Sequence, residues 1–286
     1  MRHLRLQRLE SLRRQFGTSE GGRQTPLPTE AVEFNETAIG RPIHPETGLP
    51  HKLLGYQLTV ITYPGKDLLI NKANKIGITE AVLRDMAFRG VSGDCRGYQL
   101  FLGAQDQVLA KENLRRLTSM FEGSPLLRPL IKRRMQTRLD LWNGTEYIVM
   151  PRSAEARRGW PRLKYAFLDE AGHYGLLDDE PFLAATTSRL ANTNGYLRIA
   201  STPKGQRGFF WRLNSYEGPN NSFKRYRWDY HVALGILISQ EFIDKERTRL
   251  GNLFPQEYEC EFIASQSAAI EPELLERPTN YEPERW

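Results

Sequence analysis

The sequence predicts an α/β fold, a mostly parallel sheet flanked by helices, with a small C-terminal subdomain. Three observations predict it. From Leu53 onward, short apolar runs alternate with segments of helical periodicity. The runs have the length of buried strands and are bounded by turn residues or helix-start signals. The chemically distinctive segments all follow strand ends, where open α/β sheets bind ligands.

Taken in order, residues 1–16 are basic, with Leu4, Leu9 and Leu12 spaced for an amphipathic helix. They read as a solvated terminal helix in preference to a DNA- or partner-binding arm. Residues 17–50, rich in Gly, Thr and Pro, read as an extended lead-in, so 1–50 is expected to be an N-terminal arm. "DLLIN" (67–71) is a buried strand. "TEAVLRDMAFRG" (79–90) is a helix with Val82, Leu83, Met86 and Ala87 on one face and Gly90 as its stop. "YQLFLGA" (98–104) is a second strand, followed by a helix over 105–121. "EYIVM" (146–150) and "YAFLDE" (165–170) are further strands. "DDEPFLAATTSRL" (178–190) starts a helix, with Asp179 as cap and Pro181 in the first turn. "NTNG" turns the chain into "YLRIAST" (196–202). "FKRYRWDYHV" (223–232) interleaves basic and aromatic residues and reads equally as a DNA contact or an amphipathic edge strand. A core of this α/β type is expected over 51–212 and a lid or linker subdomain over 213–286.

Composition excludes more than it selects. The 286 residues are 40% hydrophobic and 26% charged, with a net charge of +6. That suits an anionic partner and equally suits solubility alone. The two cysteines, Cys95 and Cys260, imply no disulfide framework. No apolar run approaches the ~18 residues that span a bilayer, and the N-terminus lacks an apolar signal core. No Gly-x-Ser-x-Gly elbow occurs, and the five histidines and two cysteines show no zinc spacing.

Four segments carry chemistry. "INKANKIGITEAVLR" (70–84) follows a strand and opens a helix, as a phosphate-binding loop does. Gly77 and Thr79 stand where that loop requires them, but Ile78 occupies the usual lysine position. Backbone N–H groups at the helix start would face an anion, with the helix dipole assisting, and Asn74, Ile76, Gly77 and Ile78 are candidate nucleotide-binding residues. Thr79 would offer its hydroxyl to Mg²⁺, and Lys72 or Lys75 would supply the cation. A plain strand–turn–helix with two solvated lysines is the competing reading. "YAFLDEAGHYG" (165–175) delivers Asp169 and Glu170 at a strand tip, one acid for a metal and one to orient water. "RIASTPKGQRG" (198–208) places Ser201, Thr202 and Lys204 at the next strand end, to sense a γ-phosphate or to form a polar turn. Arg157 and Arg158, upstream of the acid pair, are a surface pair or a finger reaching a neighbour's phosphate. His173 and the acids Glu257, Glu259 and Glu261 read as packed or solvated.

In this order the segments resemble the ATPase domain of large terminase subunits, the DNA-packaging motors of tailed viruses. The resemblance spans about residues 50–265. "LGYQ" (54–57) is similar to the adenine-contacting Q motif, with Tyr56 and Gln57 in place. "KANKIGIT" (72–79) resembles the deviant Walker A in which the lysine, here Lys72, opens the loop. Asp169 and Glu170 correspond to the Walker B aspartate and the catalytic glutamate, and "STPKG" (201–205) to the coupling motif. Arg158–Gly159 corresponds to an Arg-Gly pair that supplies a trans-acting finger, and "FPQEYECEF" (254–262) to the closing segment. The resemblance implies a P-loop NTPase of ASCE type that binds ATP and Mg²⁺. It also implies double-stranded DNA, a homo-oligomeric ring (a pentamer), portal protein and small terminase subunit as partners, and action in the host cell cytoplasm, with no membrane. The nuclease domain with which terminases continue is not expected in this chain. A helicase-like translocase and a scaffold with a decayed nucleotide site are the alternatives.

Overall fold

The computed structural model describes residues 26–44, 47–149, 161–175, 179–216 and 222–264. Eight strands form one sheet in the order β3-β4-β5-β2-β6-β7-β1-β8. They are β1 (Asp67–Lys72), β2 (Gln99–Gly103), β3 (Ile131–Met135), β4 (Arg138–Leu141), β5 (Glu146–Val149), β6 (Leu163–Asp169), β7 (Tyr196–Ser201) and β8 (Lys224–Trp228). From β5 across to β8 all neighbours run parallel, while β3, β4 and β5 form an antiparallel meander. β7 lies between β1 and β6, so the strands leading to Lys72 and to Asp169 are not adjacent.

Alternation along the strands decides the layers. Leu68 and Ile70 of β1 face one apolar cluster and Leu69 faces the other. The first face is covered by α2 (Gly55–Thr62), α3 (Ile78–Val91) and α4 (Gln107–Glu122). The second is covered by α5 (Asp179–Ala191) and α6 (Gly208–Ser215). Both faces are therefore dry over the inner strands, which is why β1, β2, β6 and β7 read as continuous apolar runs. On the second face the Asp179 carboxylate accepts from its neighbour's N–H, of Glu180, and from Phe209 N, tying α5 to α6.

Several expectations change. Within the lead-in expected to be extended, Ala31–Phe34 is a helical turn (α1) running into a π-helical turn, Asn35–Ile39. Phe34 and Ala38, four residues apart, are buried there, and Phe34 meets Phe88 of α3 edge-on. Gly90 does not stop α3, which continues to Val91. A Cβ at Gly90 would lie 2.2 Å from the Tyr147 hydroxyl, so glycine serves the close approach of helix and sheet. β3 and β4 were not legible, because "IKRRMQTRLDL" (131–141) carries five charged residues in eleven and β3 is largely exposed. β8 lies beyond the boundary expected at 212, yet it pairs with β1 as an edge strand of the same sheet. The remaining helices, α7 (Gln240–Leu250) and α8 (Phe254–Tyr258), pack on the same side as α3 through Ile243, Phe254 and Tyr258.

A charged network holds α3 on the sheet at the end remote from the loop. Arg198, fully buried in β7, donates to Asp85 of α3 at 3.4 Å and to the carbonyl of Lys66 at 2.8 Å. Asp85 also accepts from Arg89 at 2.7 Å and from the Tyr165 hydroxyl at 2.8 Å. Every partner of the buried carboxylate is thus satisfied, as burial of charge demands.

Candidate nucleotide site

The loop between β1 and α3 lines a cleft of about 890 Å³ at the carboxyl end of the sheet. Residues 72–80 and Gln57 form one wall, with Glu170 at the base. Gly77 caps α3 with φ of 77°, in the left-handed region that glycine enters without cost. The amides at the start of α3 have no intrahelical acceptors and carry the positive end of the helix dipole.

The sequence-predicted residues converge here, with distinct partners. Lys72, at the tip of β1, is buried and its Nζ lies 2.6 Å from Glu170 Oε1. Burial opposes its charge, but Glu170 and Asp169 outweigh that and raise its pKa. Lys75 instead sits 4.4 Å above the Phe242 ring of α7. It is Lys72, not Lys75, that meets the acid pair. Asn74 donates to the Glu257 carboxylate, and its N–H to the Glu257 carbonyl at 2.9 Å. The Tyr56 hydroxyl donates to the Ile76 carbonyl at 2.6 Å. Gln57 accepts from Leu54 N at 3.0 Å and donates to the Gly77 carbonyl at 3.3 Å, so it ties the start of α2 to the loop. Ile78, in the usual lysine position, is buried in the apolar cluster.

Asp169 and Glu170 diverge although they are adjacent. Asp169 accepts from the Thr79 hydroxyl at 3.2 Å and from Asn113 Nδ2 at 2.8 Å. Burial, with Glu170 beside it, pushes its carboxyl up to about 6 against the pull of Lys72, Asn113 and Thr79. Glu170 takes a left-handed backbone, φ 49°, which turns its side chain away from the strand direction. Burial disfavours its charge too, but the Lys72 ammonium holds its carboxyl below the usual range, helped by His173 and by Thr202 N–H. Its second oxygen accepts from Ser201 Oγ at 3.3 Å and from Thr202 N at 3.4 Å. His173, 2.8 Å from the Thr202 hydroxyl, has its pKa lowered by burial, in spite of Glu170.

The segment Ser201–Gly205 connects two parts of the site. Its first residues touch Glu170, while Gly205 N donates to Gln256 of α8 at 3.0 Å. The next residue of α8, Glu257, holds Asn74 of the loop. α8 therefore bridges the loop and the Ser201–Gly205 turn, and no sequence signal marked Gln256 or Glu257 for that place. Lys204 is half-buried and its charge acts on His173. Arg158, expected as a finger, lies outside the described residues.

The donor set suits Mg²⁺. Hard oxygens of Thr79 and Asp169 face each other, and Mg²⁺ is typically bound by one or two carboxylates plus phosphate and water. Among the described residues no cluster of three or more His, Cys, Asp or Glu forms an all-protein cage. Sequence reasoning missed the outer wall: Arg41, His51 and Leu237, with Arg84 and Arg116 bracketing Glu80 at 2.9 and 3.2 Å. No helix among the described residues is long and apolar enough to cross a membrane.

Sheet order and loop placement define the fold, that of P-loop NTPases of ASCE type. Within that class the chain is structurally similar to the ATPase domains of phage large terminases. Against the large terminase ATPase domain of Thermus phage P74-26 the identity is 20% and the TM-score 0.62, covering 85% of this chain and 100% of that one. Against the HK97 bacteriophage large terminase the identity is 20% and the TM-score 0.64, covering 81% of this chain and 54% of that one. The large terminase of a thermophilic bacteriophage, solved in complex with ADP, matches at 14% identity and a TM-score of 0.57, with 73% of this chain and 53% of that one covered. The match thus spans about half of the two longer terminase chains. No family model and no curated protein matches the sequence.

Proposed function

We propose that this chain is the ATPase motor domain of a viral terminase large subunit, which hydrolyses ATP to translocate double-stranded DNA into a procapsid. One observation carries the reading: Lys72, entering from the amino-terminal side of the loop, meets Glu170 at 2.6 Å, while Thr79, which lines the same cleft, meets the buried Asp169 at 3.2 Å. Thr79 and Asp169 would hold Mg²⁺, which would supply positive charge to the bound phosphates. Lys72 leaves Glu170 for the phosphates. Glu170, released from Lys72, orients the attacking water and accepts its proton. Ser201 and Thr202, hydrogen-bonded to Glu170, register that release, and Lys204 moves with them. Tyr56 and Gln57 hold the loop through Ile76 and Gly77 and flank the base. Arg158 of a neighbouring copy completes the site, which makes a homo-oligomeric ring, a pentamer, the working form. Portal protein and small terminase subunit are the other partners, in the host cell cytoplasm. DNA is gripped through its phosphates, without sequence readout.

ATPase activity measured with and without DNA, at several protein concentrations, tests the proposal. A motor with a finger from its neighbour gains specific activity with concentration and with DNA. Activity independent of concentration points to a monomeric helicase-like enzyme. No Mg²⁺-dependent hydrolysis under any condition refutes the proposal in favour of a scaffold.

A further inference from the structure

Asn113 stands on the buried face of α4, between Ala110 and Leu117, where the helical period calls for an apolar residue. It is 1% exposed. Its Nδ2 donates to Asp169 Oδ2 at 2.8 Å, which sets the amide orientation, because a carboxylate needs a donor there. Among the described residues the buried amide oxygen has no hydrogen-bond partner. Buried polar atoms in folded proteins are almost always satisfied, and an orphan marks a missing partner. The orphan is one amide away from the carboxylate that faces Thr79. The missing partner must be a donor, and it must sit beside Asp169.

A water of a hydrated Mg²⁺ meets both conditions. Mg²⁺ sheds its waters reluctantly and keeps several when bound by few carboxylates. Each such water presents O–H donors to the surrounding protein. α4 is a rigid support for the acceptor: Asp106 caps it through Leu109 N at 2.8 Å, and Leu114, Leu117 and Phe121 pack it on the sheet.

We propose that Asn113 is a positioning residue of the metal site, fixing the Asp169 carboxylate through Nδ2 and accepting from a metal-bound water through Oδ1. The proposal rests on the ATPase reading given above. Outer partners of this kind govern metal affinity by about 10- to 100-fold.

The test is Mn²⁺ binding in the presence of ADP, followed by the loss of the free-ion electron paramagnetic resonance signal. ADP binding in EDTA is measured alongside. Asn113→Leu should weaken Mn²⁺ by about 10- to 100-fold and leave metal-free ADP affinity within about twofold. Asn113→Ala, which opens room for a water, should lose less. Equal Mn²⁺ affinity in wild type and both variants overturns the proposal while leaving the ATPase reading intact. If the leucine variant does not fold, the alanine variant decides alone: weaker Mn²⁺ binding supports the role and unchanged binding overturns it. If wild-type protein itself binds no Mn²⁺ with ADP, the ATPase reading fails and the proposal with it.

Discussion

Lys72→Met tests the pair on which the site turns. Lys72 and Glu170 lie 2.6 Å apart, a gross attraction of about 6 kcal/mol at an effective dielectric constant of about 20. Desolvation of the two ions consumes most of that, so the pair as a whole adds little. Removing one partner is different, because it leaves the other buried beside Asp169. Such losses run at about 3–5 kcal/mol for fully buried pairs. The Lys72 side chain is 6% exposed and that of Glu170 21%. Water therefore screens the acid, and the low end, about 3 kcal/mol, is expected for the methionine variant. Adding Glu170→Gln removes the stranded charge and should restore about 2 kcal/mol of it. The assay is urea unfolding without nucleotide, in a double-mutant cycle. A coupling below about 0.5 kcal/mol, the scatter of independent sites, would refute the claim that Lys72 and Glu170 hold one another in the empty site.

The remaining predictions concern the bound site and the loop. Glu170→Gln should bind ATP and hydrolyse it very slowly, with kcat down by about 10²–10⁴ if Glu170 is the general base; near-normal turnover would remove it from that role. Lys72→Ala should lose more nucleotide affinity than Lys75→Ala in a fluorescent-ADP titration, and the reverse ranking would move the cation role to Lys75. Gly77→Ala sets a Cβ 2.5 Å from Gln57 Nε2 at a φ of 77°, so it should cost about 1–3 kcal/mol and weaken nucleotide binding. An unchanged urea midpoint would mean that Gln57 yields freely.

The strands and the helices between them were legible because their signals are local. "DLLIN", "YAFLDE" and "YLRIA" are buried on both faces and read as apolar runs, and Gly77 and Thr79 announce a loop entering a helix. Asn113 was invisible, since a lone asparagine in a helical period carries no mark of the acid 56 residues away that it touches. The β3–β4 ribbon was missed for the opposite reason, its charges masking an exposed strand, β3, and the buried strand β4 that pairs with it.

By itself the sequence determined the parallel sheet, the cleft at its carboxyl edge and the residue types gathered there, because period and spacing are properties of consecutive residues. Tertiary structure alone decided which lysine meets Glu170, that Glu257 and Gln256 of α8 bridge the loop and the Ser201–Gly205 turn, and that Asn113 stands behind Asp169. Those are contacts between chain segments far apart in sequence. Their distances are set by how helices settle on a twisted sheet, and no local pattern encodes that.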